Sequence, residues 1–415
     1  MLLSYLKIAW KVLLRRKFFT FISLFGISFT LMVLLVIVAM NDHIQGAHAP
    51  ESRIKRIAFI TFISQNFKDG GQMNTPPSPY FLDKYVRSMK TPEKITFYSM
   101  FNSTPSYVGN KKLELDLKFT DNVFWEVFDF RFLDGKPYNA NDLRDANRVV
   151  VISETTAREY FGTAQGVVGR MIEVDQTKFR VMGVVSDVPV LRFNSYAEVW
   201  APMTTTKADI RNPTLGGDYF AALLAPEGTD LATIDAEYQQ VLKRVVNPNP
   251  DIKNLNTHAD GLLATFTRQL LGQGESESSK ITVFYFIIFG LALLFMALPA
   301  LNLVNINLSR IMDRSSEIGV RKAFGATSNT LVGQFLIENI FLTLLGGLLG
   351  LLLAYVALRF ISDSNFIPYA QFTLNLRVFV WALLAVVFFG VLSGVYPAFK
   401  MSRVQPIQAL KGSTN

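Results

Sequence analysis

Residues 18–40 run for 23 positions without a charged side chain, and nothing else constrains what this chain can fold into as strongly. A helix of that length, rising about 1.5 Å per residue, reaches about 34 Å, enough to cross a hydrocarbon core of roughly 30 Å. Three more stretches qualify. Residues 281–308 and 378–399 are uncharged, and 331–358 is interrupted only by Gln334, Glu338 and Asn339 near its start. The expected fold is therefore an integral membrane α-helical protein with four transmembrane helices, at 18–40, 281–308, 331–358 and 378–399.

Charge fixes the direction. The net charge of +8 raises nucleic acid or a membrane surface as partner, and its distribution decides between them. Residues 1–17 carry Lys7, Lys11, Arg15, Arg16 and Lys17 with no acid. Residues 309–322 carry Arg310, Arg314, Arg321 and Lys322 against Asp313 and Glu317, and residues 400–415 carry Lys400, Arg403 and Lys411 with no acid. These twelve bases against two acids are a surplus of ten, so all other residues together sum to minus two. The excess sits beside apolar stretches, the positive-inside pattern, and a nucleic-acid partner loses its support. The N-terminus, a 309–330 loop and a 400–415 tail are expected in the cytoplasm, with 41–280 and a short 359–377 loop outside.

Ala47-His48-Ala49 resembles a signal-peptidase site, but 23 apolar residues exceed the usual 7–15 of a signal peptide, which favours a retained span. Within 1–17, Tyr5, Ile8, Ala9 and Val12 recur at helical spacing opposite Lys7, Lys11 and Arg15. That reads as a basic amphipathic helix on the inner leaflet, or as a topology signal alone.

Residues 41–280 are long enough for a core of their own and read as α+β. The sequence predicts a strand at 149–152, a helix at 154–161 capped by Ser153 and ended by Gly162, and a hairpin of 171–174 and 179–184 around Asp175-Gln176-Thr177-Lys178. An amphipathic helix is expected at 231–246, Pro-rich loops at 74–79 and 247–250, and a Gly/Ser/Glu linker at 272–280. The abundance of Phe is accounted for by a core.

Signals for chemistry are few. The chain has no Cys, which excludes disulfides, thiol nucleophiles and Cys-ligated metals. There is no G-x-x-x-x-G-K-[ST] and no G-x-S-x-G. His43 and His48 are five apart, a poor fit to the i, i+4 zinc pair, so no metal and no resident cofactor are expected. Glu338 is the one acid within a span. Intramembrane acids are costly and often functional, but Gln334 one turn earlier and the adjacent Asn339 favour a polar cluster near the cytoplasmic end. Gly346, Gly350 and Ala354 recur every four residues, a packing face within the subunit or across a dimer.

The most specific segment is 309–327, with Arg314, Glu317, Ile318, Gly319, Arg321, Lys322, Gly325 and Ala326 in the run R-S-S-E-I-G-V-R-K-A-F-G-A. It resembles the R-x-x-E-I-G-x-R-[KR]-A-x-G-A signature of MacB/FtsX-type ABC transporter permeases. Gln334-Phe335-Leu336-Ile337-Glu338 and Gly346-Gly347-Leu348-Leu349-Gly350 look like that family's next helix. Tyr396-Pro397-Ala398 and Pro406-Ile407-Gln408-Ala409-Leu410 are similar to its tail, and 124–135 and 149–189 to its MacB-like periplasmic core domain.

The resemblance implies a permease subunit of an inner-membrane machine that couples ATP hydrolysis on a separate ABC ATPase chain to movement of the external domain, for efflux or lipoprotein release. ATP would bind that ATPase, because only 17 residues precede the first span here. The same resemblance implies docking of the ATPase on 309–327, a homodimer or heterodimer of permeases, contacts with membrane lipids, and a periplasmic adaptor or outer-membrane component. Glu317 and Arg321 form an i, i+4 pair in the favourable order. A regulatory protein that moves an external partner such as a cell-wall hydrolase stays open beside transport. A membrane-anchored enzyme has no clustered nucleophile, His or paired acid to support it.

Overall fold

The computed structural model describes residues 14–15, 17–246, 249–271, 279–313, 320, 324, 327–364, 367–370, 372 and 376–402. They form two units. One comprises Met1–Asp42, Tyr285–Phe366 and Phe372–Asn415, and the other His43–Phe284 and Ile367–Gln371.

Among the described residues the first unit is helical, drawing on Lys17–Gln45, Ile281–Asp313, Ser328–Asp363 and Leu376–Ser402. Each helix outruns the apolar stretch that predicts it, because polar turns at either end keep helical backbone once the apolar run has nucleated it. Lys17–Gln45 and the stretch Val332–Asp363 are long and apolar enough to cross a membrane, whereas Ile281–Ala297 and Phe379–Leu392 are shorter apolar helical stretches. Thr327 caps the third helix, its hydroxyl accepting from the Thr330 amide at 3.3 Å.

Small residues set the helix spacing. A Cβ on Gly346 would lie 2.7 Å from Ile27 Cγ2, and one on Gly350 would lie 2.9 Å from both Leu31 Cβ and the Ser28 carbonyl. Ala354, fully buried, packs with Leu31 and Leu35. The seam thus joins the Ser328–Asp363 and Lys17–Gln45 helices of one chain. Overpacking a site like this costs about 1–3 kcal/mol. Gly350→Leu is therefore expected to lower the thermal midpoint of the full chain in mild detergent. Gly290→Ala, where a Cβ meets nothing within 4 Å, leaves it in place. An unchanged midpoint in Gly350→Leu would show that the seam gives way freely.

The second unit is α+β. Its strands are β1 (Ile57–Ile60), β2 (Ile63–Phe67), β3 (Gln72–Thr75), β4 (Lys94–Ser99), β5 (Asn102–Val108), β6 (Lys111–Thr120), β7 (Phe132–Gly135), β8 (Val149–Ser153), β9 (Met171–Val174), β10 (Thr177–Val185), β11 (Val199–Pro202), β12 (Tyr219–Leu224) and β13 (Ile252–Asn256). Among the described residues ten of them make one mixed sheet in the order β1-β12-β4-β6-β11-β8-β10-β7, with β5 on β6 and β9 on β10, while β13-β2-β3 form a small antiparallel sheet. The pairs β8/β10 and β6/β11 are parallel.

Local chemistry places the short helices. Ser153 Oγ accepts from the Thr156 amide at 3.1 Å and Gly162 closes Glu154–Phe161 with φ +79°, the left-handed cap that glycine adopts without strain. Ser78 caps Pro79–Lys84 with Pro at its first turn. The predicted 74–79 loop is therefore split, with Asn74 and Thr75 closing β3 and Pro79 opening that helix. The β9–β10 hairpin turns on Asp175 and Gln176 alone, both at positive φ (50° and 58°), and Thr177 and Lys178 belong to β10 rather than to the turn. The helix predicted at 231–246 ends at Leu242. Val245 still packs on the core from the turn that follows, so its apolar spacing outlasts the helix.

One core cluster gathers Phe59, Tyr98, Phe124, Phe128, Tyr138, Trp200 and Phe220, with ring centroids 4.8 Å apart for Phe124–Phe128 and 5.7 Å for Tyr98–Phe124. Aromatic contacts of this kind add about 0.5–1.5 kcal/mol beyond area burial.

Candidate functional site

Between β10 and β11 the chain makes a strap, residues 186–198. It is folded by turns in which the Arg192 amide donates to Pro189 O (2.9 Å) and the Tyr196 amide to Arg192 O (2.7 Å). The strap carries a buried cation. The last carbonyls of any helix lack intrahelical donors, and a guanidinium at that end meets both the open acceptors and the negative end of the macrodipole. Arg192 does this for the Lys17–Gln45 helix: Nη2 donates to His43 O at 2.9 Å and to Gly46 O at 3.0 Å.

Arg192 Nη1 also donates to Glu51 Oε2 at 3.2 Å, and both side chains are 1% exposed. The other Glu51 oxygen accepts from Ser195 Oγ (2.7 Å) and the Ser195 amide (3.2 Å). Burying an ion costs several kcal/mol unless its hydrogen bonds are met, and here each oxygen of the carboxylate has a donor. The helix end, the 46–51 turn and the strap are thereby fastened by one ion pair.

Lys118 on β6 holds the strap from the other side. Nζ donates to Phe193 O at 2.9 Å and Asn194 O at 2.8 Å, and lies 5.2 Å from the Tyr98 ring centroid. Tyr98 Oη donates to Asn194 Oδ1 at 2.9 Å. Burial pushes the Lys118 ammonium down from 10.5 to about 7, with the Glu51 carboxylate pulling the other way. The far end of the strap takes a bond from residues 367–370. Tyr369 Oη donates to Glu198 Oε1 at 2.7 Å and the Val190 amide to Pro368 O at 3.3 Å. Burial raises the Glu198 carboxyl, opposed by the Tyr369 hydrogen bond. Nothing in this constellation is arranged to attack a substrate. It is a fastening.

Of the residues singled out from sequence, Arg314, Glu317, Ile318, Gly319, Arg321, Lys322, Gly325 and Ala326 lie outside the described residues, as do 1–13, 272–278 and 403–415. Gln334 Nε2 donates to Glu338 Oε1 at 3.3 Å, with Glu338 and Asn339 buried. Glu51, Lys118 and Arg192 were not singled out. Lys118 sits on the polar side of the alternation Leu113, Leu115, Leu117, and Arg192 in an irregular segment, where the ordinary expectation is solvent.

Comparison with known proteins gives two family matches: a MacB-like periplasmic core domain over residues 20–241 and an FtsX-like permease C-terminal domain over residues 286–406. The macrolide export ATP-binding/permease protein MacB of Salmonella typhi is 25% identical over 418 residues, covering 98% of this chain and 60% of that protein. MacB of Hahella chejuensis is 24% identical over 409 residues, 97% of this chain and 59% of that protein. The chain thus spans about 60% of the length of the curated relatives it matches. The crystal structure of the periplasmic region of MacB from Actinobacillus actinomycetemcomitans aligns over 54% of this chain and 96% of that chain, at 16% identity and a TM-score of 0.38. With more than half its length inside the first of these matches and most of the remainder inside the second, the chain belongs to the MacB/FtsX-type family of ABC transporter permeases.

Proposed function

We propose that the chain is a permease subunit that passes ATP-driven movement from the cytoplasmic side of the inner membrane to an external domain. In this reading four helices span the bilayer, both termini are cytoplasmic, residues 41–280 are outside, and a separate ABC ATPase binds the nucleotide. The carrying observation is the fastening at Arg192. The apolar Lys17–Gln45 helix runs unbroken to residue 45, and Arg192 bonds the His43 carbonyl in its last turn and the Gly46 carbonyl just beyond it. In this reading, movement of the helix reaches the domain through that joint.

Arg314, Glu317, Ile318, Gly319, Arg321, Lys322, Gly325 and Ala326 form the ATPase-docking segment, and two permeases pair so that two ATPases close together. Gly346, Gly350 and Ala354 hold the first and third spans as one body, and Gln334 with Glu338 forms a polar pair near the cytoplasmic end. The cargo is exported or released on the outer side.

The test is purification of the tagged chain in mild detergent with identification of co-purifying proteins. A stoichiometric Walker-type ATPase is expected, and Glu317→Lys or Arg321→Glu should each reduce its recovery at least about tenfold, a loss of roughly 1.4 kcal/mol or more of docking energy. Undiminished recovery in both variants would remove this segment from docking. No ATPase under several mild conditions would overturn the permease reading.

A further inference from the structure

The external domain contains a cavity of about 460 Å³ beside the strap, within the roughly 300–1,000 Å³ of small-molecule sites. Its walls are mainly apolar, with Leu191 and Phe193 from the strap, Leu262 and Phe266 from the helix Leu262–Leu271, Ile44 from the end of the first long helix, and Phe220 at its base. Phe193 and Phe266 are 38% and 51% exposed, so two aromatic faces stand at a mouth that water reaches.

Two observations narrow the occupant. The first is charge. Among the described residues lining the cavity, Glu51 is the one ionisable side chain, and its oxygens are taken by Arg192 and Ser195. Among the described residues lining the space, no free charge is left to hold an ionised ligand. The second is chain connectivity. Ile44 lies one residue from the end of the Lys17–Gln45 helix, and Leu262–Leu271 is followed ten residues on by the Ile281–Asp313 helix. Both walls are therefore the segments through which the domain is tethered to the apolar helices. Given the membrane placement proposed above, on which this inference rests, bilayer lipid is the apolar material at hand in greatest quantity.

We infer that this cavity takes one acyl chain of a bilayer phospholipid, a resident ligand and not cargo, with the headgroup left outside near Thr61 and Gln269. An acyl chain seated there packs against Leu191 and Phe193, so the strap that holds the first helix also forms one wall of a lipid site.

The experiment uses the full chain in phosphatidylethanolamine/phosphatidylglycerol vesicles containing a phosphatidylcholine with a diazirine at the end of one acyl chain. After photolysis, labelled peptides are mapped by mass spectrometry. Label is expected on residues 191–194 and 262–269 as well as on the apolar helices, with the Lys17–Gln45 helix as internal standard. Excess unlabelled phospholipid should compete it away, and Thr265→Trp, which fills the cavity, should reduce the cavity label about tenfold. Val246→Trp, on an exposed turn, should not. Label confined to the apolar helices in the wild-type chain overturns the site, whatever the folding of the variant. Cavity label displaced by a triacylated peptide but not by phospholipid overturns the resident-lipid assignment. Neither failure touches the ATPase co-purification on which the permease reading is judged.

Discussion

Replacing Arg192 by alanine is expected to destabilise the external domain by about 3–5 kcal/mol, the usual consequence of removing one member of a buried ion pair. The loss has three parts that the geometry keeps distinct. Glu51, 1% exposed, is left as a buried carboxylate with Ser195 as its remaining donor. His43 O and Gly46 O lose the donor they share. The strap loses its central anchor, so the turn closed by the Tyr196 amide on Arg192 O stands without the side chain that orients it. Amide hydrogen exchange of the full chain in detergent would read this as faster exchange across 43–51 and 186–198, with little change in β1–β12.

A second variant separates stability from transmission. Glu51→Leu combined with Arg192→Met removes both charges together, and such double replacements are often neutral or stabilising. The double variant is expected to regain most of the lost stability while the His43 and Gly46 carbonyls stay without the Arg192 guanidinium. On the proposed function, if movement passes through this joint, a co-assembled ATPase stays uncoupled from the external response in the double variant. Full coupling there would assign the ion pair to stability alone.

Lys118→Met should change how stability depends on pH. In the unfolded chain the ammonium titrates near its ordinary 10.5, and in the folded chain near 7. Below pH 7 both states hold the proton, and the folded state bears the whole penalty of a buried charge. Between pH 7 and 10.5 the folded chain releases the proton while the unfolded chain retains it, so stability rises with pH by up to about 1.4 kcal/mol per unit. Measured as the difference between wild type and Lys118→Met, which cancels the other titrating groups to first order, the balance should move toward wild type from pH 7 to pH 10. A flat difference would mean that the folded chain keeps Lys118 charged throughout, with Glu51 outweighing burial. Asp121 acts in a lower window. Burial raises its carboxyl to about 6, so its contribution is present below its unfolded value of 3.8 and is lost as pH rises through 6.

What was legible in the sequence is what local rules control. Apolar run length marks the long helices, and the Ser153 and Gly162 caps give the bounds of Glu154–Phe161 to the residue. The hairpin at Asp175-Gln176 was placed two residues too wide because its tight turn needs positive φ at two positions, which Asn-Gly would announce and Asp-Gln does not. The fastening was not legible for a different reason. Glu51 and Arg192 are 141 positions apart, and Lys118 meets the strap across 75. A charge in a loop or on the polar face of a strand looks solvated until the sheet order β6-β11-β8-β10 brings the strap over it. Periodicity reports which face of an element is apolar; it carries no information on which polar side chain will be covered by a distant segment.

The aromatic core has an optical consequence. Of the four tryptophans in the chain, Trp200 donates its indole N–H to Ser195 O at 3.2 Å, on the strap itself, and stands 6.1 Å from Trp125. Indole emission shifts with the field and hydrogen bonding around the ring, so an intrinsic chromophore already reports the position of the strap. With Trp10 and Trp381 replaced by phenylalanine, the fluorescence of Trp200 and its neighbour Trp125 would report changes at the joint in an otherwise unlabelled protein.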